Sequence, residues 1–169
     1  SSELHPLCQN FLSAAQEIGI GLNKDMNGAT QDGVGNYQIT THKGQRMSSS
    51  RAYLWPIRGR TNLTIIKNAF ATRVLIKDKK AYGVEYLKSG KVHEVTASRE
   101  VILSAGSINS PQLLQLSGVG PKIALRKASV PLVHESPAVG ENLQDHLGVS
   151  YFYKSKVPTL NDQLRPFLG

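Results

Sequence analysis

The sequence predicts an α/β fold with α+β character, and three observations lead there. Val101-Ile102-Leu103 is an unbroken apolar run, the pattern of a strand buried on both faces of a sheet. It passes through the small residues Ser104-Ala105-Gly106-Ser107 directly into a helix-forming segment. Upstream, residues 69–97 alternate polar and apolar side chains in runs separated by turn signals, as an antiparallel β-meander does. A buried strand, a small-residue break and a capped helix make up the carboxyl edge of an open α/β sheet, where ligands usually sit.

Taken in order, the chain begins with Leu4, Leu7, Cys8, Phe11, Leu12, Ala15 and Ile18 at three- and four-residue spacing, an amphipathic helix with Pro6 near its start and Gly19 and Gly21 at its end. Cys8 lies on the apolar stripe, which favours packing over reactivity. Residues 23–44 are loop-rich around a strand-like Tyr37-Gln38-Ile39-Thr40. Gly33-Val34-Gly35 is not a phosphate loop, because the third glycine of such a loop falls on Gln38 and no buried strand precedes it. Ser48 to Ser50 are placed to cap a short helix holding Ala52 to Leu54, which Pro56 ends.

Leu63-Thr64-Ile65-Ile66 reads as a short strand, and the meander follows as 69–76, 82–87 and 92–97, with turns at Asp78-Lys79-Lys80 and Ser89-Gly90. Asn62-Leu63-Thr64 is a formal glycosylation sequon, yet its place at the mouth of a strand favours an unmodified asparagine. After Leu103, Ser110 is expected to cap a helix with Pro111 in its first position, Leu113, Leu114 and Leu116 on its buried side and Gly118 at its stop. Pro121 opens another helix through Ile123, Leu125 and Ala128. Leu132-Val133-His134 forms a short strand, and residues 148–154 a β-rich run. Adjacent residues seldom face one site, so Asp145-His146 is read as a structural hydrogen-bonding pair rather than a catalytic carboxylate and base.

Composition is that of an ordinary globular protein: 40% hydrophobic and 19% charged over 169 residues. There is no apolar run long enough to span a membrane. The formal net charge of +8 raises the question of an acidic partner. Its carriers, among them Arg46, Arg51, Arg58, Arg60, Lys77, Lys79, Lys80, Arg126 and Lys127, are scattered without the aromatic interleaving that stacks bases, so nucleic-acid binding is set aside. The lone Cys8 allows no internal disulfide, and no residue grouping suggests a metal site.

Gly106-Ser107, Ser110-Pro111, Leu113-Leu114 and Ser117-Gly118-Val119-Gly120, with Val139-Gly140 and Asn142-Leu143-Gln144-Asp145-His146 further on, form two compact motifs. The first resembles the second signature of the glucose-methanol-choline (GMC) family of FAD-dependent oxidoreductases, and the other is similar to a later segment of that family. Asp25-x-Asn27-Gly28, Thr41-x-x-Gly44-x-Arg46-x-Ser48, Ala52-Tyr53-Leu54 and Arg60-x-Asn62-Leu63 extend the likeness over nearly the whole chain. The resemblance implies an internal piece of a longer flavoenzyme: residues 1–57 a substrate-side segment and connector, 58–147 part of the FAD-binding domain with its three-stranded meander, and 148–169 the return into the substrate domain. It implies FAD as cofactor, with Ala71, Ser104, Ala105 and Gly106 on the adenine side of the cradle. It also implies hydride transfer from the CH–OH group of an alcohol or sugar, in a glucose dehydrogenase-like branch that is often secreted. The family's catalytic base, a late histidine, and its Gly-rich phosphate loop match nothing here. The chain is therefore expected to carry no catalytic residue and to be inactive by itself, with quinone and oxygen both open as electron acceptor. The alternative is a non-catalytic α/β module that binds a nucleotide or a protein.

Overall fold

The computed structural model describes residues 4–164. They form two compact units, one from the N-terminal side through Arg60 together with the segment from Val149 onward, the other Thr61–Gly148.

In the first unit, helix α1 spans Pro6–Glu17, with Pro6 at its start and the His5 ring accepting the Leu7 N–H. Leu12 and Ala15 are buried, whereas Phe11 and Ile18, on the stripe that sequence periodicity marks as apolar, are exposed. Cys8 is half-buried. Tyr37–Thr40 forms no strand; the pairing occurs just beyond, in the small hairpin of β1 (Thr41–His42) and β2 (Gln45–Arg46). A π-type turn over Ser50–Leu54 then runs into helix α2, Trp55–Ile57. Ser48 Oγ accepts the Arg51 N–H at 3.3 Å, in keeping with its expected capping. Pro56, expected to end the helix, instead sits at the start of α2, where a missing N–H costs nothing. The Arg58 guanidinium lies 3.9 Å over the Trp55 ring and donates to the Trp55 carbonyl at 2.7 Å.

The second unit contains the predicted meander: β3 (Phe70–Lys77), β4 (Lys80–Lys88) and β5 (Lys91–Thr96), antiparallel in that order. Both turns are two-residue hairpins with positive φ at each central position, Asp78-Lys79 and Ser89-Gly90, the geometry that matches strand twist. Leu63–Ile66 is not a strand. Val101–Leu103 also lacks strand pairing, and Ile102 is 74% exposed. An apolar run becomes a strand only when its backbone finds a ladder, and no described segment supplies one.

Helix α3 covers Gly106–Leu116, followed by β6 (Val119–Gly120), α4 (Lys122–Lys127) and β7 (His134–Glu135). β6 pairs in parallel with β7, Val119 opposite His134 and Gly120 opposite Glu135, so the expected strand at 132–134 begins two residues later. Val74, Leu75, Leu113 and Leu125 form the buried apolar centre of this unit. In the segment from Val149, residues 149–154 form no strand, Phe152 being 93% exposed, and α5 covers Leu160–Leu164. Among the described residues no helix is long and apolar enough to cross a membrane.

Candidate functional site

The site is built around α3. Its start lies a turn earlier than the Ser110-Pro111 pair suggests. Gly106 takes φ +88° and the chain coils from there, while Ser110 Oγ reaches back to accept the Ala105 N–H at 3.0 Å. Ser110 thus stabilises the entry from inside the helix, and Pro111 lies within it. Having no N–H, Pro111 leaves the Ser107 carbonyl without its helical partner. Ser104, Ala105 and Gly106 are exposed, Ala105 makes no side-chain cap, and a Cβ built on Gly106 would meet nothing within 4 Å. The first turn of an eleven-residue helix therefore presents backbone N–H groups and the positive end of its dipole beside the small residues 104–107, with Ile108 exposed next to them.

The other end of α3 is fixed by the signature residues. Ser117, 8% exposed, donates from Oγ to the Leu113 carbonyl at 2.6 Å and accepts the Val74 N–H at 2.7 Å, joining the helix to β3. Gly118 has φ +82°, and a Cβ there would lie 2.5 Å from the Pro131 carbonyl oxygen and 2.7 Å from Val133 Cγ2. A Cβ on Gly120 would lie 2.9 Å from Gln115 Cγ. These glycines are required by the close packing of the 117–120 turn on 131–133 and on α3 itself.

Along its side, α3 faces residues 140–144 across a groove of about 610 Å³ lined by Ser107, Pro111, Gln115, Asn142 and neighbouring residues. Gln115 Nε2 spans the floor, donating to the Val139 carbonyl at 3.0 Å, and a Cβ on Gly140 would come within 2.7 Å of that nitrogen. Asp145 and His146 are exposed, and the hydrogen bond between them runs from the His146 backbone N–H to Asp145 Oδ1, 2.8 Å. No hydrogen bond joins the two side chains to each other.

Ala71 lies exposed on β3, opposite Tyr86. Next to it, Thr72 is an extra residue in the ladder: Ala71 faces Tyr86 and Arg73 faces Glu85, so nothing opposes Thr72. Its hydroxyl turns onto Glu85, 2.7 Å from Oε1 and 3.1 Å from the carbonyl oxygen. Arg73 holds the other carboxylate oxygen through Nε at 3.0 Å and Nη2 at 2.7 Å. The Thr72 hydroxyl first, and the Arg73 guanidinium second, pull the Glu85 carboxyl below its ordinary pKa.

No hydrogen bond joins Ala71 to Ser104, Ala105 or Gly106; β3 and α3 meet through Val74 and Ser117. Sequence reasoning missed the Thr72–Arg73–Glu85 cluster and the Gln115 strut. Opposite charges on neighbouring predicted strands were a signal for the former, but plain counting back from the Asp78-Lys79 turn sets Arg73 against Val84.

The exposed, small-residue backbone of residues 104–107 at the start of α3 fits the approach of a large planar anionic cofactor, with open space at Gly106. Comparison with known proteins gives the family. Over 163 residues the chain is 50% identical to the oxygen-dependent choline dehydrogenase of Photobacterium profundum, covering 96% of this chain and 29% of that protein. It is 50% identical over 150 residues to an alcohol dehydrogenase [acceptor] of Pseudomonas putida, covering 88% of this chain and 27% of that one. In structure it resembles an FAD-dependent oxidoreductase from Chaetomium thermophilum, with a TM-score of 0.68, 28% sequence identity, and coverage of 80% of this chain and 24% of the other. The chain thus spans under a third of the length of these relatives. Choline and alcohol stand in the relatives' names, where the sequence resemblance pointed to a glucose dehydrogenase-like branch. FAD is the cofactor that these likenesses indicate. With the model of the GMC oxidoreductases matching residues 1–148, the chain belongs to the GMC oxidoreductase family.

Proposed function

We propose that this chain is part of an FAD-dependent oxidoreductase that oxidises the hydroxyl-bearing carbon of a small alcohol, with a choline-like amino alcohol favoured over a sugar. The observation that carries the reading is the α3 entry: exposed Ser104-Ala105-Gly106 on a helix whose far end is pinned to β3 by Ser117. The names of the two relatives support the alcohol class and rank choline ahead of glucose.

In this reading residues 58–147 belong to the FAD-binding domain, and residues 1–57 and 148–169 to the substrate side. Ser104, Ala105 and Gly106 hold the cofactor through backbone and shape, and Ala71 offers a small side chain at its adenine end. FAD, when bound, accepts the hydride. The residues of this chain bind and orient it, with α3 supplying N–H groups and a positive dipole end on a rigid mount. Asp145 and His146 take no part in proton transfer, and the base lies outside this chain. Oxygen and a quinone remain alternative electron acceptors.

The test is to purify the full-length protein, record its visible spectrum, and add choline, a primary alcohol or glucose under anaerobic conditions. Flavin absorbance that bleaches with choline or the alcohol supports the proposal, and bleaching by glucose alone would return the protein to the sugar class. A colourless protein that binds no added FAD would make it a non-catalytic module.

A further inference from the structure

We propose that Thr72 is a positioning residue for the cofactor: it sets the β-bulge that presents Ala71. The inference rests on the reading that Ala71 meets FAD. An inserted residue in a strand has no cross-strand partner to define its backbone, so the shape of a bulge depends on what its side chain holds. At Thr72 that hold is explicit. Its hydroxyl lies on both the carbonyl and the carboxylate of Glu85, and Arg73 clamps the same carboxylate from the next position.

β3 is restrained just beyond this point. Val74 is tied to Ser117 on α3, so the strand cannot slide to absorb a change at residue 72. A second irregularity completes the device: Leu75 faces Gly83 and Ile76 faces Ala81, which leaves Tyr82 as an extra residue in β4. The bulges lie in opposite strands and cancel. Outside them Phe70 faces Leu87 and Lys77 faces Lys80, the pairing of a hairpin with no bulge, while Arg73, Val74 and Leu75 between them are offset by one residue. The bulge at Thr72 therefore leaves the far end of the sheet in register and re-aims only its surroundings, of which Ala71 is the exposed small residue.

The test uses full-length apoprotein titrated with FAD, followed by flavin fluorescence, alongside its thermal midpoint. Thr72→Val keeps the shape and removes the hydroxyl; it is expected to raise the FAD dissociation constant about tenfold, the scale of one well-placed hydrogen bond. Thr72→Ser, which keeps the hydroxyl, is expected to restore affinity to within about twofold of the parent. A Thr72→Val protein with a lowered midpoint and unchanged FAD affinity would show a purely structural role and overturn the inference. Ala71→Leu separates the two levels. If it weakens FAD binding while Thr72→Val does not, the reading of Ala71 stands and the positioning role falls. If Ala71→Leu leaves affinity unchanged, both fall. Should Thr72→Val give no soluble protein, Glu85→Ala removes the carboxylate acceptor and leaves only the carbonyl, with a loss of about threefold or more expected and unchanged affinity again counting against the role.

Discussion

Ser117 accepts the backbone N–H of Val74 at 2.7 Å, a bond that spans 43 residues of sequence and closes α3 onto β3, an edge strand of the meander. Both groups are buried, so removing the hydroxyl leaves a strand donor without water or partner. Ser117→Ala should cost about 1–3 kcal/mol, read as a lower urea midpoint with an unchanged m-value.

Gly118 and Gly90 both have positive φ, but their surroundings differ. A Cβ at Gly90 meets nothing, whereas one at Gly118 would overlap the Pro131 carbonyl and Val133. Gly90→Ala should therefore cost only the left-handed penalty of about 1–2 kcal/mol. Gly118→Ala adds to that an overpacking cost of about 1–3 kcal/mol. Thermal midpoints of the two variants check the ranking, and equal shifts would contradict it.

Gln115 holds the 139–140 turn against α3 through one amide bond. Gln115→Ala should lower stability by about 0.5–1.5 kcal/mol and speed hydrogen exchange in residues 139–144. Exchange in β4 should be unaffected, because the strut touches the groove and not the meander.

The Glu85 carboxyl lies below its ordinary pKa because the charged form accepts from Thr72 and Arg73. A carboxylate depressed in the folded state contributes stability above its unfolded pKa, and that contribution is lost as pH falls through the folded value. The stability of the parent should thus decline on acidification below about pH 4.3, the ordinary glutamate value. Glu85→Gln should show a shallower decline in that range. Parallel curves from denaturation at stepped pH would rule this out.

The meander was legible because its signals are local: alternating side chains and two-residue turns decide it without help from distant residues. So was the stop at Gly118, although the reason for glycine there, contact with Pro131 and Val133, is tertiary. The helix start was misplaced because Ser110 bonds backwards to Ala105, where a cap ordinarily reaches forward from outside the helix. Strand expectations at 63–66, 101–103 and 148–154 rested on β-prone composition, and composition cannot supply the neighbouring backbone that a ladder needs. The Arg73–Glu85 pair was hidden by the Tyr82 bulge, which shifts the register by one residue and is invisible to counting from the turn. As for the candidate site, the small residues 104–106 were plain in the sequence although the helix start beside them was not, whereas Gln115 and Thr72 act through contacts that no motif announces.

The sequence has a single tryptophan, Trp55, and it lies in the unit that ends at Arg60, with Arg58 stacked on its ring. Intrinsic indole emission is therefore a private optical channel for that unit. A guanidinium leaving the ring changes the signal while the meander can remain folded, so a fluorescence melt and a far-ultraviolet dichroism melt of the same sample need not superimpose. Any gap between the two curves measures how independently the two units unfold.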